Sequence, residues 1–229
     1  MISYFLIYIL FILSGSLLIH VIRKKLWLRK EFMRRQQIGK AGEEKTVRQL
    51  EKLRGYKKIL KNLYVPLPDG TNTTEIDAVI IHEKGIFVVE NKNYSGKIYG
   101  DEKARYWTQI QKEKGKKRKK WKKHFYSPLL QNQAHIRILK KHLDEKGDWE
   151  MPYVSVIVFN DSARLRRIRI HFENTLVINC RKSRKKLRKK IRWFPRALTR
   201  RQVDEIFKEL KDLENPGMRI KRNHEKLFL

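Results

Sequence analysis

The sequence is almost free of cysteine, which removes several kinds of site from consideration. Cys180 is the only cysteine among 229 residues, so an intrachain disulfide and a zinc site built from several cysteines are both excluded. It follows the apolar segment TLVIN (175–179), and a small residue after such a segment is typical of a buried position. We therefore expect Cys180 to pack in the core rather than act as a nucleophile.

Acidic residues are also scarce. The chain has 24 Asp and Glu against 55 Lys and Arg, which gives a formal net charge of +31. A charge of this size predicts a polyanionic partner, either nucleic acid or an anionic membrane surface. It carries no information about the fold.

Charged residues are missing from one long segment, residues 2–22 (ISYFLIYILFILSGSLLIHVI). As a helix this segment would be about 32 Å long, enough to cross a bilayer core. Residues 23–35 hold seven basic residues and one acid, and they follow the apolar segment, whereas the charges of a cleaved signal peptide precede it. By the positive-inside rule, the sequence predicts a single-pass anchor in the cell membrane, with the N-terminus outside and the rest of the chain in the cytoplasm.

After residue 35 the spacing of apolar residues alternates between helical and strand periods. It predicts helices at 38–53, 129–143 and 181–192, a last helix that begins at Thr199 with a Thr199–Gln202 capping box, and strands at 58–67, 76–81, 86–91, 153–159 and 175–179. We expect an α/β fold with a mixed central β-sheet flanked by helices on both faces, behind the transmembrane helix.

Residues 74–98, TEIDAVIIHEKGIFVVENKNYSGKI, predict a hairpin that carries charges inside its strands. If residues 82–85 form the turn, Ile81 faces Ile86 and Val79 faces Val88. Counting outward from the turn brings Asp77 opposite Glu90, and Glu75 opposite Lys92, all on one face. Two carboxylates at one position need a cation between them or a raised pKa.

An acidic residue on one strand and Glu-x-Lys on the next favour metal-assisted phosphodiester hydrolysis. Two carboxylates can hold Mg²⁺ or Mn²⁺, which polarises the phosphoryl oxygen and lowers the pKa of a bound water. A lysine beside the ion can orient or deprotonate that water and offset developing charge. The alternative is a cross-strand Glu75–Lys92 ion pair with no catalytic role.

The order of several motifs resembles the NERD (nuclease-related) domain, which is assigned to the PD-(D/E)xK nuclease superfamily. The resemblance covers about residues 36–160, and the matching segments are GKAGEE (39–44), TEIDAVII (74–81), GIFVVENKNYSGKI (85–98), Trp107 and SPLLQNQAHI (127–136). It implies a PD-(D/E)xK nuclease-like core. Trp107 itself is expected to be a packing residue.

The resemblance also implies roles for individual residues. Asp77 and Glu90 would be the metal ligands, helped by the backbone carbonyl of Asn91, and Lys92 would be the catalytic lysine. The remaining catalytic positions would be Glu43, for which Glu44 is an alternative, and Gln131. His82, His124 and His135 lack metal-type spacing, so structural roles are expected for them.

Two segments concentrate the positive charge. Residues 112–123 (KEKGKKRKKWKK), expected to be an exposed loop, and 181–192 (RKSRKKLRKKIR) each hold nine basic residues. Phosphates of nucleic acid and the anionic inner leaflet both fit such segments. The expected nucleic-acid-binding residues are Lys116, Lys117, Arg118, Lys119, Lys120, Trp121, Arg184, Lys185 and Lys186.

These features predict five segments: an anchor (1–22), a basic juxtamembrane segment (23–35), a nuclease-like core (36–160), a basic C-terminal α/β extension (161–215) and a tail (216–229). Three functions remain open. One is a membrane-anchored, Mg²⁺-dependent nuclease that cleaves DNA in preference to RNA. The second is a catalytically inactive protein that tethers nucleic acid to the membrane, and the third is a juxtamembrane scaffold that contacts lipid. No small-molecule cofactor is expected.

Overall fold

The computed structural model describes the backbone of residues 2–112 and 120–214, and the side chains of 17–34, 36–112 and 120–214. The chain divides into two units, residues 1–41 and 42–229. The elements in chain order are α1 (Ile2–Glu51), β1 (Lys57–Pro66), β2 (Thr73–His82), β3 (Gly85–Lys92), β4 (Gly96–Asp101), β5 (Tyr106–Lys112), β6 (Lys120–Tyr126), α2 (Pro128–Asp144), β7 (Tyr153–Phe159), β8 (Ala163–Arg169), β9 (Thr175–Asn179), α3 (Cys180–Arg192) and α4 (Arg200–Lys211).

The fold is mixed α/β, but it contains two sheets where one was predicted. The first sheet has the order β1-β2-β3-β7-β9, with β1, β2 and β3 antiparallel and β3, β7 and β9 parallel. The second sheet has the order β6-β5-β4-β8. Strands β8 and β9 come from the segment predicted as a C-terminal extension, and each joins one of the two sheets.

Helices cover both faces of the first sheet, as its apolar strands require. One core contains the α1 residues Val47 and Leu50 together with Leu187 of α3. The core on the opposite face contains Leu139 of α2 and Ile206 of α4. The predicted capping box of α4 is present, with Thr199 and Gln202 bonding each other's backbone and side-chain groups.

The predicted hairpin register is present between β2 and β3. Ile81 pairs with Ile86 and Val79 pairs with Val88, and the ladder ends at Ala78 and Val89. The two faces alternate up to that point, so the register prediction is confirmed as far as Ala78.

The alternation of β2 breaks at Asp77. Ile76 and Val79 pack in the same core although they are three residues apart, and Leu60 and Leu63 do the same on the neighbouring strand. Between the latter two, Asn62 has a φ of 49°, a left-handed conformation that Asn tolerates better than most residues. Asp77 therefore lies at a local rotation of the strand pair, which the simple alternating pattern did not predict.

The segment expected to be a loop at 112–123 is partly strand. Lys112 ends β5, and Lys120 to Lys123 belong to β6, which pairs with β5 over its whole length. Residues 113–119 lie outside the described residues. The segment forms a strand because β6 pairs with β5 and buries Phe125. These contacts outweigh the weak strand preference of lysine.

Two single-residue predictions are confirmed by burial. Cys180 is 4% exposed and its thiol lies 3.6 Å from the hydroxyl of Thr46. Trp107 is 1% exposed and stacks on Phe159, with ring centroids 6.2 Å apart. Both side chains are part of the packing between elements.

Within residues 17–34, 36–112 and 120–214, no helix is long and apolar enough to cross a membrane. The predicted anchor covers residues 2–22, and the side chains of residues 2–16 lie outside the described ones. The tail at 216–229 also lies outside them.

Asp161, in the turn between β7 and β8, connects three elements. Its Oδ2 lies 2.7 Å from Lys45 Nζ of α1, and its Oδ1 accepts a 2.7 Å hydrogen bond from the backbone N–H of Arg181 in α3. Burial alone would raise the pKa of Asp161, but the contacts with Lys45 and Arg181 outweigh burial and lower it.

We expect Asp161→Ala to lower the free energy of unfolding by about 1–2 kcal/mol, because hydrogen bonds to a charged group and a charge at a helix start are both lost and partial exposure screens them. A lowered carboxyl pKa stabilises the fold above the ordinary pKa of Asp, and this contribution disappears as the pH falls through the lowered value. Thermal melting at neutral and acidic pH measures both effects. The exposed control Asp148→Ala should change little; an equal loss in both variants would contradict the role of Asp161.

Candidate metal-dependent hydrolytic site

The parallel strands β3, β7 and β9 end together at one edge of the first sheet. Lys92 pairs with Phe159, which in turn pairs with Asn179. Because adjacent strands are about 4.8 Å apart, α3 begins about 10 Å from Lys92. Ligands of α/β sheets bind beyond the carboxyl ends of the strands, so this edge is where a site is expected.

Asp77 is half-buried at the break in β2, next to this edge. Its Oδ2 accepts a 2.6 Å hydrogen bond from the backbone N–H of Asn91. Burial, followed by the charges of Glu90 and Glu43, raises the pKa of the Asp77 carboxyl well above its ordinary value. The Asn91 N–H and the Lys92 ammonium group offset this only in part. The negative charge around Asp77 is therefore incompletely balanced by the protein.

Glu90 and Lys92 form a close ion pair inside the site. Lys92 Nζ lies 2.6 Å from Glu90 Oε1 and donates a 2.9 Å hydrogen bond to Gln131 Oε1. Only 3% of the Glu90 side chain and 18% of the Lys92 side chain are exposed. These two contacts hold the ammonium group in place.

The pair remains charged despite its burial. Burial raises the pKa of Glu90, but Lys92 and His135 outweigh it and lower the net value. Burial lowers the pKa of Lys92, but Glu90 and Asp77 outweigh it and raise the net value. Lys92 is therefore a fixed cation at neutral pH, with protons to donate and no free lone pair.

His135 is a neighbour of the site that the sequence pattern did not identify. Its Nδ1 lies 2.8 Å from the hydroxyl of Thr74, and its Nε2 lies 3.3 Å from Glu90 Oε2. Gln131 and His135 are four residues apart on α2, so both face the same way. The four-residue spacing therefore predicts that His135 lies on the same side of α2 as Gln131. It does not predict the contact with Glu90, which depends on the packing of α2 against β3.

The five predicted catalytic residues differ in how closely they interact in the structure. Glu90, Lys92 and Gln131 are in direct contact, and Asp77 and Glu43 interact with each other electrostatically. Glu44, the alternative to Glu43, lies on the surface 3.6 Å from Arg48.

Within residues 17–34, 36–112 and 120–214, no group of three or more His, Cys, Asp and Glu side chains is arranged to hold a metal ion. Mg²⁺, however, is usually held by one or two carboxylates, with waters and phosphate oxygens as the other ligands. Glu90 Oε2 is buried, with His135 Nε2 3.3 Å away but outside hydrogen-bond geometry, and the charge around Asp77 is incompletely balanced. These two carboxylates therefore fit a hard divalent cation, with Asn91 adjacent to both.

The residues expected to bind nucleic acid fall into three groups. Lys116 to Lys119 lie outside the described residues, and Lys120 and Trp121 are exposed at the start of β6. Arg184, Lys185 and Lys186 are exposed on α3.

Comparison with known proteins places this site in a family. An uncharacterised protein of Bacillus anthracis is 39% identical over 142 residues, which are 61% of this chain and 61% of that protein. The chain therefore spans less than two thirds of this curated relative. No solved structure matches the chain. The family model of the nuclease-related domain matches residues 38–160, which include Asp77, Glu90 and Lys92. The chain belongs to the nuclease-related domain (NERD) family.

Proposed function

We propose that this protein is a Mg²⁺- or Mn²⁺-dependent nuclease that hydrolyses phosphodiester bonds of DNA in preference to RNA. The observation that carries the proposal is the buried Lys92–Glu90 pair beside the incompletely balanced Asp77. A protein that only bound nucleic acid would gain nothing from carboxylates directed at phosphates, because like charges repel.

The residues have distinct roles in this proposal. Asp77 and Glu90, with the carbonyl of Asn91, would hold the ion, and Glu43 would add negative charge. When bound, Mg²⁺ supplies a Lewis acid that polarises the phosphoryl oxygen and acidifies a water. Lys92, held by Gln131, donates hydrogen bonds to the water or a phosphate oxygen and balances charge in the transition state.

Without a bound ion, Lys92 is an orienting cation. Its pKa is raised by Glu90 and Asp77, so it holds its proton at neutral pH. A divalent ion on these two carboxylates would offset their charge and lower the pKa of Lys92 toward the range that a general base needs. The lysine contributes electrostatic stabilisation and positioning in either case.

The exposed basic residues of α3 would hold phosphates next to the scissile bond. α3 starts at the sheet edge where Lys92 lies, and eight of its nine basic residues are exposed. We assign the nucleic-acid contacts to Lys116, Lys117, Arg118, Lys119, Lys120, Trp121, Arg184, Lys185 and Lys186.

One comparison separates a nuclease from an inactive tether. Full-length protein in detergent is bound to labelled single- and double-stranded DNA and RNA in EDTA, and Mg²⁺ or Mn²⁺ is then added to the complexes. A nuclease binds in EDTA and cleaves after the metal is added. Binding without cleavage on all four substrates would reject the nuclease and favour the tether.

We also propose that residues 2–22 anchor the protein in the cell membrane with the catalytic domain in the cytoplasm. The described part of this segment exposes large apolar side chains, including Leu17 at 65% and Leu18 at 60%. A contiguous exposed apolar surface indicates a membrane or protein partner. The basic residues that follow it favour the cytoplasmic side.

This topology predicts that protease added to intact cells leaves residues 42–229 undigested, and that permeabilised cells lose them. The membrane shields a cytoplasmic domain, so only its rupture exposes the chain. A cytoplasmic marker protein and a surface-exposed marker protein serve as controls. Digestion of the domain in intact cells would reject the orientation, and its release by alkaline carbonate would reject the anchor.

A further inference from the structure

The second sheet has one face in the core and one face in solvent. Ile98, Trp107 and Phe125 are buried and pack together on the inner face. Side chains alternate along a strand, so the neighbours of these residues are on the opposite, outer face. The outer face includes Lys97, Tyr99 and Asp101 of β4, Tyr106, Thr108, Ile110 and Lys112 of β5, Lys120, Lys122, His124 and Tyr126 of β6, and Arg164 and Arg169 of β8.

Like charges lie directly opposite each other on the outer face. Lys112 pairs with Lys120 across β5 and β6, and Lys97 pairs with Arg164 across β4 and β8. All four side chains are exposed. Such pairs destabilise a sheet, and the only acidic residue in these four strands, Asp101, is opposite Arg169 instead. A bound anion would relieve the like-charge pairs.

The cations form a line across the strands. Lys122 faces Ile110, which faces Lys97, which faces Arg164. Three strand spacings are about 14 Å, which is long enough for several consecutive phosphates of one strand. A linear polyanion fits this line better than a compact anion does.

Aromatic rings extend the outer face beside this line. Tyr106 and Tyr126 are 56% and 46% exposed and meet edge to face, with centroids 6.2 Å apart. Tyr99 pairs with Thr108, and this pair lies between the row of Lys97 and the row of Tyr106 and Tyr126. Exposed aromatic rings beside a basic track bind unpaired bases by stacking. The outer face lacks the large exposed aliphatic side chains with which a surface enters a bilayer.

We propose that the outer face of the second sheet is a binding site for single-stranded nucleic acid, with phosphates along Lys122, Lys97 and Arg164 and bases on the tyrosines. The site shares no residue with the Asp77–Glu90–Lys92 centre, and binding there does not depend on hydrolysis. Because paired bases are already stacked, single strands gain contacts that a duplex cannot make.

The test measures the salt dependence of binding by full-length protein in detergent and EDTA, with a labelled DNA oligonucleotide, single-stranded or as its duplex. For single strands each lost phosphate contact reduces the slope of log K against log salt by about 0.7. The triple variant Lys97→Gln/Lys122→Gln/Arg164→Gln should therefore lose about 2 from the slope, and about a hundredfold in affinity at about 0.1 M salt.

A matched control removes the same charge elsewhere. Lys140→Gln/Lys141→Gln/Lys208→Gln changes three exposed lysines of α2 and α4 and should leave the slope unchanged. Tyr106→Leu/Tyr126→Leu should weaken single-strand binding about tenfold with no change in slope, and should spare the duplex.

Three outcomes would overturn the proposal: an unchanged slope in the outer-face variant, an equal change in the control, or intact oligonucleotide binding with lost binding to phosphatidylserine vesicles. Since EDTA prevents metal-dependent cleavage, none of these outcomes bears on the proposed nuclease. Conversely, an inactive protein could still bind through the outer face.

Discussion

Lys92→Met should slow phosphodiester cleavage about 10³-fold while divalent ions still bind. The ammonium group is held by Glu90 and Gln131 and remains charged, so its removal takes away a preorganised positive charge. Losses of about 10²–10³-fold are typical when one such electrostatic group is deleted. The measurement is the single-turnover cleavage rate at saturating Mg²⁺.

The same substitution leaves Glu90 without its main counter-charge. Breaking a buried ion pair can cost about 3–5 kcal/mol, so the melting temperature must be recorded with the rate. Lys61→Met, at an exposed position of β1, is the matched control and should keep the full rate. Cleavage by a folded Lys92→Met protein at the wild-type rate would remove Lys92 from the mechanism.

Asp77→Asn should abolish the stabilisation of the protein by Mg²⁺ or Mn²⁺ and raise its metal-free stability. Asparagine keeps an oxygen that can accept the Asn91 N–H, but it removes a charge that Glu90 and Glu43 oppose. Relief of such a contact is worth roughly 0.2–1 kcal/mol, or up to about 4 °C in melting temperature.

The wild type, in contrast, should be stabilised by added Mg²⁺ or Mn²⁺. An ion at one hundred times its Kd stabilises the fold by about 2.7 kcal/mol, which is roughly 5–10 °C for a chain of this size. Thermal melting of full-length protein over a range of metal concentrations measures both effects. The exposed control Asp148→Asn should respond to metal like the wild type. An equal metal response in Asp77→Asn would place the ion elsewhere.

The first sheet could be predicted from sequence because its strands are continuous apolar segments. The hairpin register followed from period-two alternation and a four-residue turn, and it is observed from Ile81 to Ala78. Helix α4 was predictable from its local capping box. In each case a signal within a few residues was enough.

The second sheet could not be predicted in this way. Strand β6 contains three lysine residues, and β8 contains four arginine residues. Their strand conformation depends on pairing to β5 and β4 and on burial of residues such as Phe125 and Leu165. Such tertiary contacts override local preference and leave no local pattern.

The site was predictable in its residue types but not in its geometry. Motif order indicated Asp77, Glu90, Lys92 and Gln131. The rotation at Asp77 depends on the left-handed Asn62 of another strand, 15 positions earlier. The contact of His135 with Glu90 depends on the packing of α2 against the sheet. Neither follows from residue spacing alone.

The central claim is that Asp77 and Glu90 form a metal-dependent hydrolytic site. The most direct measurement compares cleavage of a labelled oligonucleotide by the wild type and by Asp77→Asn/Glu90→Gln, both full-length, in Mg²⁺ and in EDTA. Both changes preserve side-chain size and remove only charge. We expect cleavage by the wild type in Mg²⁺ alone, and none by the double variant in either condition. Cleavage by the folded double variant at the wild-type rate would contradict the claim.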